Sequence, residues 1–440
     1  MTAASISIAA SAAIFILTYV GPGSRSLPLS KSNLHRTLVV IIGAILMLSL
    51  GKWLGFYSLE SAVEATDANT IALLFGMMVI VGLFQATGFF EYLAVFAAKL
   101  ARGKGWLLFV YLGLTTTIVS MFLDNVTTII LMIPVTMSLA DILDLPMKPF
   151  LIGEVMLSNI GGVATLIGDP PNILIGSAAN LSFTDFIVHL GPIVLVVWLI
   201  AQGLLLFLFR TTLRHAPTRI EALVEMKPRQ ALVNPKTTKR MLIILAGTVV
   251  LFFLHDRLDL ESGTVALLGA SAGLLWIWPN IREALKEVHW DVLLFFIGLF
   301  VIVGGLEAAG ALDIVASAIS GLTTHGVVLA SLVVLWSSAL MSAVVDNVPF
   351  TIAMLPVLAG LQAQGVPVGP LWWALALGVG FGGNATPVGA TANVIAISAS
   401  EKAGHGISTQ LWLRRGIPTA LIACLIASAL DVIAIYIGLF

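Results

Sequence analysis

Asp124-Asn125 and Asp346-Asn347 stand 222 residues apart, each inside a long apolar stretch. Their flanks repeat with them: SMFLDNVTTIILMIPV (Ser120 to Val135) aligns with SAVVDNVPFTIAMLPV (Ser342 to Val357). A carboxylate at the centre of a membrane helix costs about 2.5–3.5 kcal/mol on insertion scales. A pair of acid and amide kept twice at that cost is suited to binding a small polar solute or cation and to handling a proton. A carboxyl group in apolar surroundings with no cationic partner favours its neutral form and can carry a proton. Asp124, Asp169 and Asp346 are the leading proton or cation carriers on this reading, with Glu154 and Glu307 behind them. Asn125, Thr127, Thr128, Thr165, Asn172, Asn347, Thr386 and Asn393 supply neutral hydrogen-bonding groups for a substrate. Gly161, Gly162, Gly382 and Gly383 supply accessible backbone. The competing reading makes each Asp-Asn pair a tight turn or helix cap, since both residues are good N-caps.

The elements that must position these groups also repeat. FGMMVIVGLFQATGFFE (Phe75–Glu91) matches IGLFVIVGGLEAAGALD (Ile297–Asp313), and after one deletion NIGGVATLIGDPPN (Asn159–Asn172) matches GFGGNATPVGATAN (Gly380–Asn393). The spacing predicts a first repeat over 1–211, a linker over 212–239 and a second repeat over 240–440. In each, an apolar hairpin (106–139 and 327–361) carries Asp-Asn at its tip, and a long segment (149–179 and 371–398) is interrupted at its middle. Glycine permits non-helical dihedrals, and Pro170-Pro171 and Pro387 break the helical ladder. An unwound backbone survives at membrane depth only where it lines a cavity or is buried in protein. The copies are not identical: Asp169 faces Ala390, Glu154 faces Leu375, Val163 faces Asn384 and Thr127 faces Pro349.

Composition fixes the class. At 59% hydrophobic and 10% charged, with a mean hydropathy of +1.04, the chain is a polytopic membrane protein. Ten crossings are expected besides the hairpins: Ser5–Val20, Thr37–Leu54, Thr70–Thr87, Pro149–Ala179, Phe186–Phe209, Met241–Leu254, Gly263–Trp278, Asp291–Ala309, Leu371–Ser398 and Gly416–Phe440. The first and sixth are short, and the first is expected to be retained rather than cleaved as a signal peptide. With these crossings, 20 of the 22 Lys and Arg residues fall in one set of loops, and only Lys52 and Arg257 in the other. The positive-inside rule then places both termini outside a plasma (inner) membrane and the Thr211–Lys239 loop in the cytoplasm. Five crossings per repeat make the two copies inverted, an arrangement that places a transported solute near the midplane between them.

Other chemistries find little support. Cys424 is the one cysteine, so disulfides within the chain and thiolate metal clusters are excluded, and no metal or other cofactor is expected. Gly378–Gly383 lacks the strand and lysine of a nucleotide loop. His189, His289, His325 and His405 fall near loops without ligand-like spacing, so an enzyme is not indicated. A net charge of −1 with no basic tract gives no sign of nucleic-acid binding.

FLDNVTTIILMIPVT, SNIGGVATLIGDPPN and AVVDNVPFTIAMLP resemble the ArsB/NhaD permeases of the ion transporter superfamily. That group spans arsenite efflux pumps, sodium/proton antiporters and the melanosomal P protein. The resemblance covers both repeats. It implies an all-α polytopic fold of two inverted repeats, each with five transmembrane helices and a re-entrant hairpin, and discontinuous helices at the substrate site. It also implies elevator-like movement of a transport domain, with Asp124-Asn125-Val126-Thr127 and Asp346-Asn347 at the hairpin tips. Some members accept an ATPase subunit, and the basic loop here is already explained by topology. Arsenite and antimonite, uncharged trihydroxides in neutral water, suit a site of hydroxyls, amides and backbone. A di- or tricarboxylate would call for Arg or Lys, and no span contains one. Proton-coupled arsenite/antimonite efflux therefore ranks first, sodium/proton antiport second and organic-anion transport third.

Overall fold

The computed structural model describes residues 3–20, 36–214, 227–323 and 325–440, and no strand occurs among them. Arg25 and Lys31, and part of the expected cytoplasmic loop, lie outside the described residues. The first repeat comprises α1 (Ala3–Val20), α2 (Arg36–Leu54), α3 (Leu59–Glu64), α4 (Ala68–Gln85), α5 (Phe89–Ala101), α6 (Gly105–Leu123), α7 (Asn125–Leu143), α8 (Met147–Gly162), α9 (Pro170–Ala179), α10 (Phe183–His189) and α11 (Gly191–Leu208). The one-turn α12 (Arg210–Leu213) leads into the linker. The second repeat comprises α13 (Pro235–Leu254), α14 (Ser262–Ile277), α15 (Ile281–Lys286), α16 (Trp290–Ala308), α17 (Asp313–Thr323), α18 (Val327–Val344), α19 (Asn347–Ala363), α20 (Gly369–Gly382), α21 (Thr391–Lys402) and α22 (Thr409–Tyr436).

The offset found in the sequence maps α3 onto α15, α4 onto α16, α6 onto α18, α7 onto α19 and α9 onto α21. Both long segments are broken where glycine and proline predicted. α8 stops at Gly162 and α9 resumes at Pro170; α20 stops at Gly382, passes through a 3-10 turn (Gly383–Ala385), and α21 resumes at Thr391. The hairpins turn on very few residues. Asp124 alone separates α6 from α7, with φ +65° and ψ 155°, a conformation rarely adopted by side-chain-bearing residues. Asp346 starts α19 with an ordinary extended φ of −49°. Each arm of the first hairpin has 19 residues, about 28 Å of helix.

Several boundaries differ from expectation for identifiable reasons. The sixth crossing is a full 20 residues, because the Asn234 side chain caps it and Pro235 starts it six residues ahead of the apolar run. The fifth splits at Leu190, where Gly191-Pro192 begin a new helix after α10. The last crossing begins at Thr409, so Arg414 and Arg415 lie within its first turns rather than before it. Arg415 rests its guanidinium over the Phe209 ring at 4.9 Å, an arrangement that lets a long basic side chain occupy a helix end. The amphipathic α5 and α17 were not resolved from the apolar runs around them.

Two kinds of packing organise the bundle. α4 lies against α14, and its twin α16 lies against α2, so each scaffold pair joins one repeat to the other. The close approach rests on twin glycines. A Cβ on Gly76 would collide with the Ala266 backbone, and one on Gly298 with the Val40 side chain. In the second unit, α6 packs on α8 and α18 on α20, while α7 crosses to α21 and α19 crosses to α9. Each hairpin's returning arm therefore meets the other repeat's broken helix, and both tips arrive at both breaks.

Candidate functional site

The breaks are held by side chains that repeat. Asn172 donates its amide to the carbonyls of Val163 (3.0 Å) and Thr165 (2.8 Å), and Asn393 donates to Gly383 (2.8 Å) and Thr386 (2.8 Å). The Thr165 hydroxyl donates to the Met121 carbonyl at the end of α6, and Thr386 donates likewise to Ala343 at the end of α18. Ser120 reaches the Ser158 carbonyl (3.0 Å), and its twin Ser342 reaches Val379 (2.7 Å). These groups bond to carbonyls within the breaks and near the ends of the helices and hairpin arms around them. The glycines serve the same closure: a Cβ on Gly161 would meet Thr117, on Gly162 or Gly383 the opposite carbonyl of the break, and on Gly382 the Ala339 backbone. Six expected substrate-site groups (Thr165, Asn172, Thr386, Asn393 and the two glycine pairs) thus have structural contacts that account for them.

A cleft lies where the tips meet α4 and α16. Asp124, Asn125, Val126 and Thr127 line it from the first tip, Asn347 and Val348 from the second, and Asp169, Pro170 and Thr391 from the breaks. Leu74 and Met78 on α4, with Val292, Phe295 and Phe296 on α16, form the opposite apolar wall, and His289 stands at its edge. Asp124 caps α7 as expected, accepting from the Thr127 backbone (2.9 Å) and hydroxyl (2.7 Å). Thr128 turns its hydroxyl onto the Asp124 carbonyl (2.6 Å). Asp346 accepts from the Val348 backbone (3.3 Å) and the Thr391 hydroxyl (2.6 Å).

Asp169 sits at the centre. It is fully buried and leaves its own helix without a side-chain cap. Its carboxyl accepts from the Asn125 amide of one tip (3.3 Å) and the Asn347 amide of the other (3.3 and 3.4 Å). The equivalent position in the other repeat, Ala390, offers no such group. From there a buried amide chain crosses the molecule. Asn125 also donates to Asn159 Oδ1 (3.1 Å), and Asn159 donates to Asn384 (2.9 Å) and Asn393 (2.9 Å). Asn384 ends the chain on the Met156 carbonyl (3.0 Å). Among the described residues, no Lys or Arg borders the cleft.

Two of the five expected acids lie elsewhere. Glu154 is buried between α7 and α8, accepting from Thr136 (2.7 Å). Glu307 lies at the far end of α16 from His289, near Tyr57, whose hydroxyl is pushed up to about 12 by burial and then by the Glu307 charge. Asn159, Asn384, Thr391 and His289 were missing from the expected site. Asn159 faces Gly380 and Asn384 faces Val163 across the repeat, so a search for matched residues passes over both. Unmatched polar residues inside the broken helices were the available signal.

Residues 14–378 match the family described as CitMHS, citrate transporter. The chain is 37% identical over 437 residues to an uncharacterized transporter of Mycobacterium tuberculosis, covering 97% of each chain. It is 32% identical over 475 residues to the P protein of Homo sapiens, covering 89% of this chain and 56% of that one. Its fold is similar to the crystal structure of the Alcanivorax borkumensis YdaH transporter, with a TM-score of 0.63, 14% identity and coverage of 92% of this chain and 99% of that chain. The chain therefore belongs to the CitMHS family and is a multi-pass secondary transporter. The expected similarity to the P protein is present, and the family shown is CitMHS, which leaves the narrower ArsB/NhaD assignment as an expectation from the motifs.

Proposed function

We propose that this CitMHS-family member exports a small uncharged or cationic solute in exchange for protons by an elevator-like movement, with arsenite and antimonite as the first candidates. The observation that carries the reading is the Asp169 carboxyl, buried and clasped by an amide from each hairpin tip, with no Lys or Arg among the described residues lining the cleft. A proton taken up there changes the charge at the one point where both tips meet. A trihydroxide can donate to the acceptors around it, including Asn125 Oδ1, which is buried without a partner.

Sodium is the second reading, favoured by the oxygen-rich first tip: Asp124, Thr127 and the unpartnered Asn125 oxygen. Citrate is disfavoured despite the family's description, because its carboxylates would meet Asp124 and Asp169 with no Arg or Lys to offset them. Proteoliposomes with an imposed pH difference, loaded in parallel with arsenite, antimonite, sodium, lithium or citrate, discriminate these readings. Arsenite and antimonite are expected to move against their gradients. Movement of sodium or lithium alone would put the second reading first, and movement of citrate alone would overturn both.

A further inference from the structure

Position 289 is where the two cleft-facing scaffold helices part company. Its repeat twin is Asp67, the N-cap of α4, whose carboxylate accepts from the Asn69 backbone (3.0 Å), the Thr70 backbone (3.2 Å) and the Thr70 hydroxyl. Asp67 is occupied as a cap. His289 is the N-cap of α16, yet its side chain caps nothing, and its ring has no hydrogen-bond partner among the described residues. The half-buried ring instead lines the same cleft as Asp124.

The surroundings define what such a ring can do. The first tip presents Asp124, the break presents Asp169, and the second tip presents Asp346 behind Thr391. α4 presents only Leu74 and Met78, and Val292, Phe295 and Phe296 of α16 are apolar. On the segment carrying His289, Lys286 is engaged with Glu283 (2.8 Å), and Glu287 and Asp291 are exposed. Asp124 is engaged by Thr127 at the first tip, while His289 precedes α16 on the facing side of the cleft. Histidine is the side chain whose ordinary titration falls between pH 5 and 8.

We propose that His289 is the proton-exchange group of this cleft, passing protons between water at its mouth and Asp124. A ring nitrogen takes a proton from water. The imidazolium N–H then gives that proton to an Asp124 carboxylate oxygen, leaving a neutral ring and a neutral acid, and release runs in reverse. The role rests on the proton-coupled reading above. Asp67, engaged as a cap, cannot play this part in the symmetric position, so the histidine-assisted route serves one mouth only.

Two assays of the same proteoliposomes test this: arsenite flux driven by a pH difference, and arsenite–arsenite exchange at equal pH, each repeated with radiolabelled sodium. His289→Gln is expected to lower the driven flux at least about tenfold and to lower exchange by a clearly smaller factor. Free imidazole is expected to restore part of the driven flux in His289→Ala. Equal loss in both assays, no loss in either, or failure of imidazole to rescue would overturn the assignment. If the unaltered protein shows exchange but no pH-driven flux of either probe, the proton-coupled reading itself falls, whatever the variants do.

Discussion

Asp169 has the geometry of a coupling group rather than a cap, because its carboxyl turns away from its own helix toward two amides that belong to different repeats. The asparagine chain behind it fixes the Asn125 amide. Asn159 is its hub, with one acceptor and two donated bonds, all buried. Replacing it with leucine would leave Asn384 and Asn393 oxygens without donors at about 1–3 kcal/mol each. Asn159→Leu is therefore expected to lower the melting temperature in detergent and to weaken transport. Asn125→Ala, by contrast, is expected to impair transport with less effect on melting, because only one of its two amide bonds belongs to the asparagine network, the other going to Asp169. Equal melting of Asn159→Leu and the parent protein would contradict this account.

At the scale of elements, glycine contacts divide into those that matter for closure and those that do not. Gly382→Leu places side-chain atoms on the Ala339 backbone, where nothing flexible can yield, and overpacking of that kind costs about 1–3 kcal/mol or more. Gly203→Ala on α11 meets nothing within 4 Å and is expected to be neutral or to stabilise by up to about 1 kcal/mol. Thermal unfolding of the two variants in one detergent checks the contrast. The hairpins and breaks were legible in the sequence because their signals are local: Asp-Asn within apolar runs, glycine pairs, Pro170-Pro171. The one-turn and amphipathic helices α3, α5, α15 and α17 were not, since each merges with a longer apolar run or is too short for a periodic pattern. The site was half legible. Asp124, Asn125, Thr127, Asp169 and Asn347 line the cleft as their repetition or depth suggested. Asn159 and Asn384 pair across 225 residues, a contact that depends on how the repeats interlock and leaves no trace in spacing.

At the scale of the whole molecule, the proposed elevator-like movement would draw on the repeat symmetry and the cleft's asymmetry together. The tips face Val292, Phe295 and Phe296 at one end of α16 but Leu74 and Met78 farther along α4. Exchanging the repeats maps those walls onto Thr70, Leu73 and Leu74 of α4 and Phe296 and Phe300 of α16. Alternating access of inverted repeats predicts that the second set lines the cleft in the opposite state. With the sole native cysteine buried, Val292→Cys should be labelled by an impermeant maleimide from the cytoplasmic face. Leu73→Cys, buried in this state, should be labelled from the other face and only during turnover. Labelling of both from one face would contradict the inverted arrangement. The 20-to-2 partition of basic residues predicts which face is which.

The most direct test of the coupling role is the Asp169→Asn variant, which keeps the side chain's shape and removes its exchangeable charge. In proteoliposomes with an imposed pH difference, the parent protein is expected to accumulate arsenite against its gradient. Asp169→Asn is expected to lose that accumulation by about a hundredfold or more while still melting as a folded protein. Full pH-driven accumulation by Asp169→Asn would contradict the assignment of Asp169 as the coupling group.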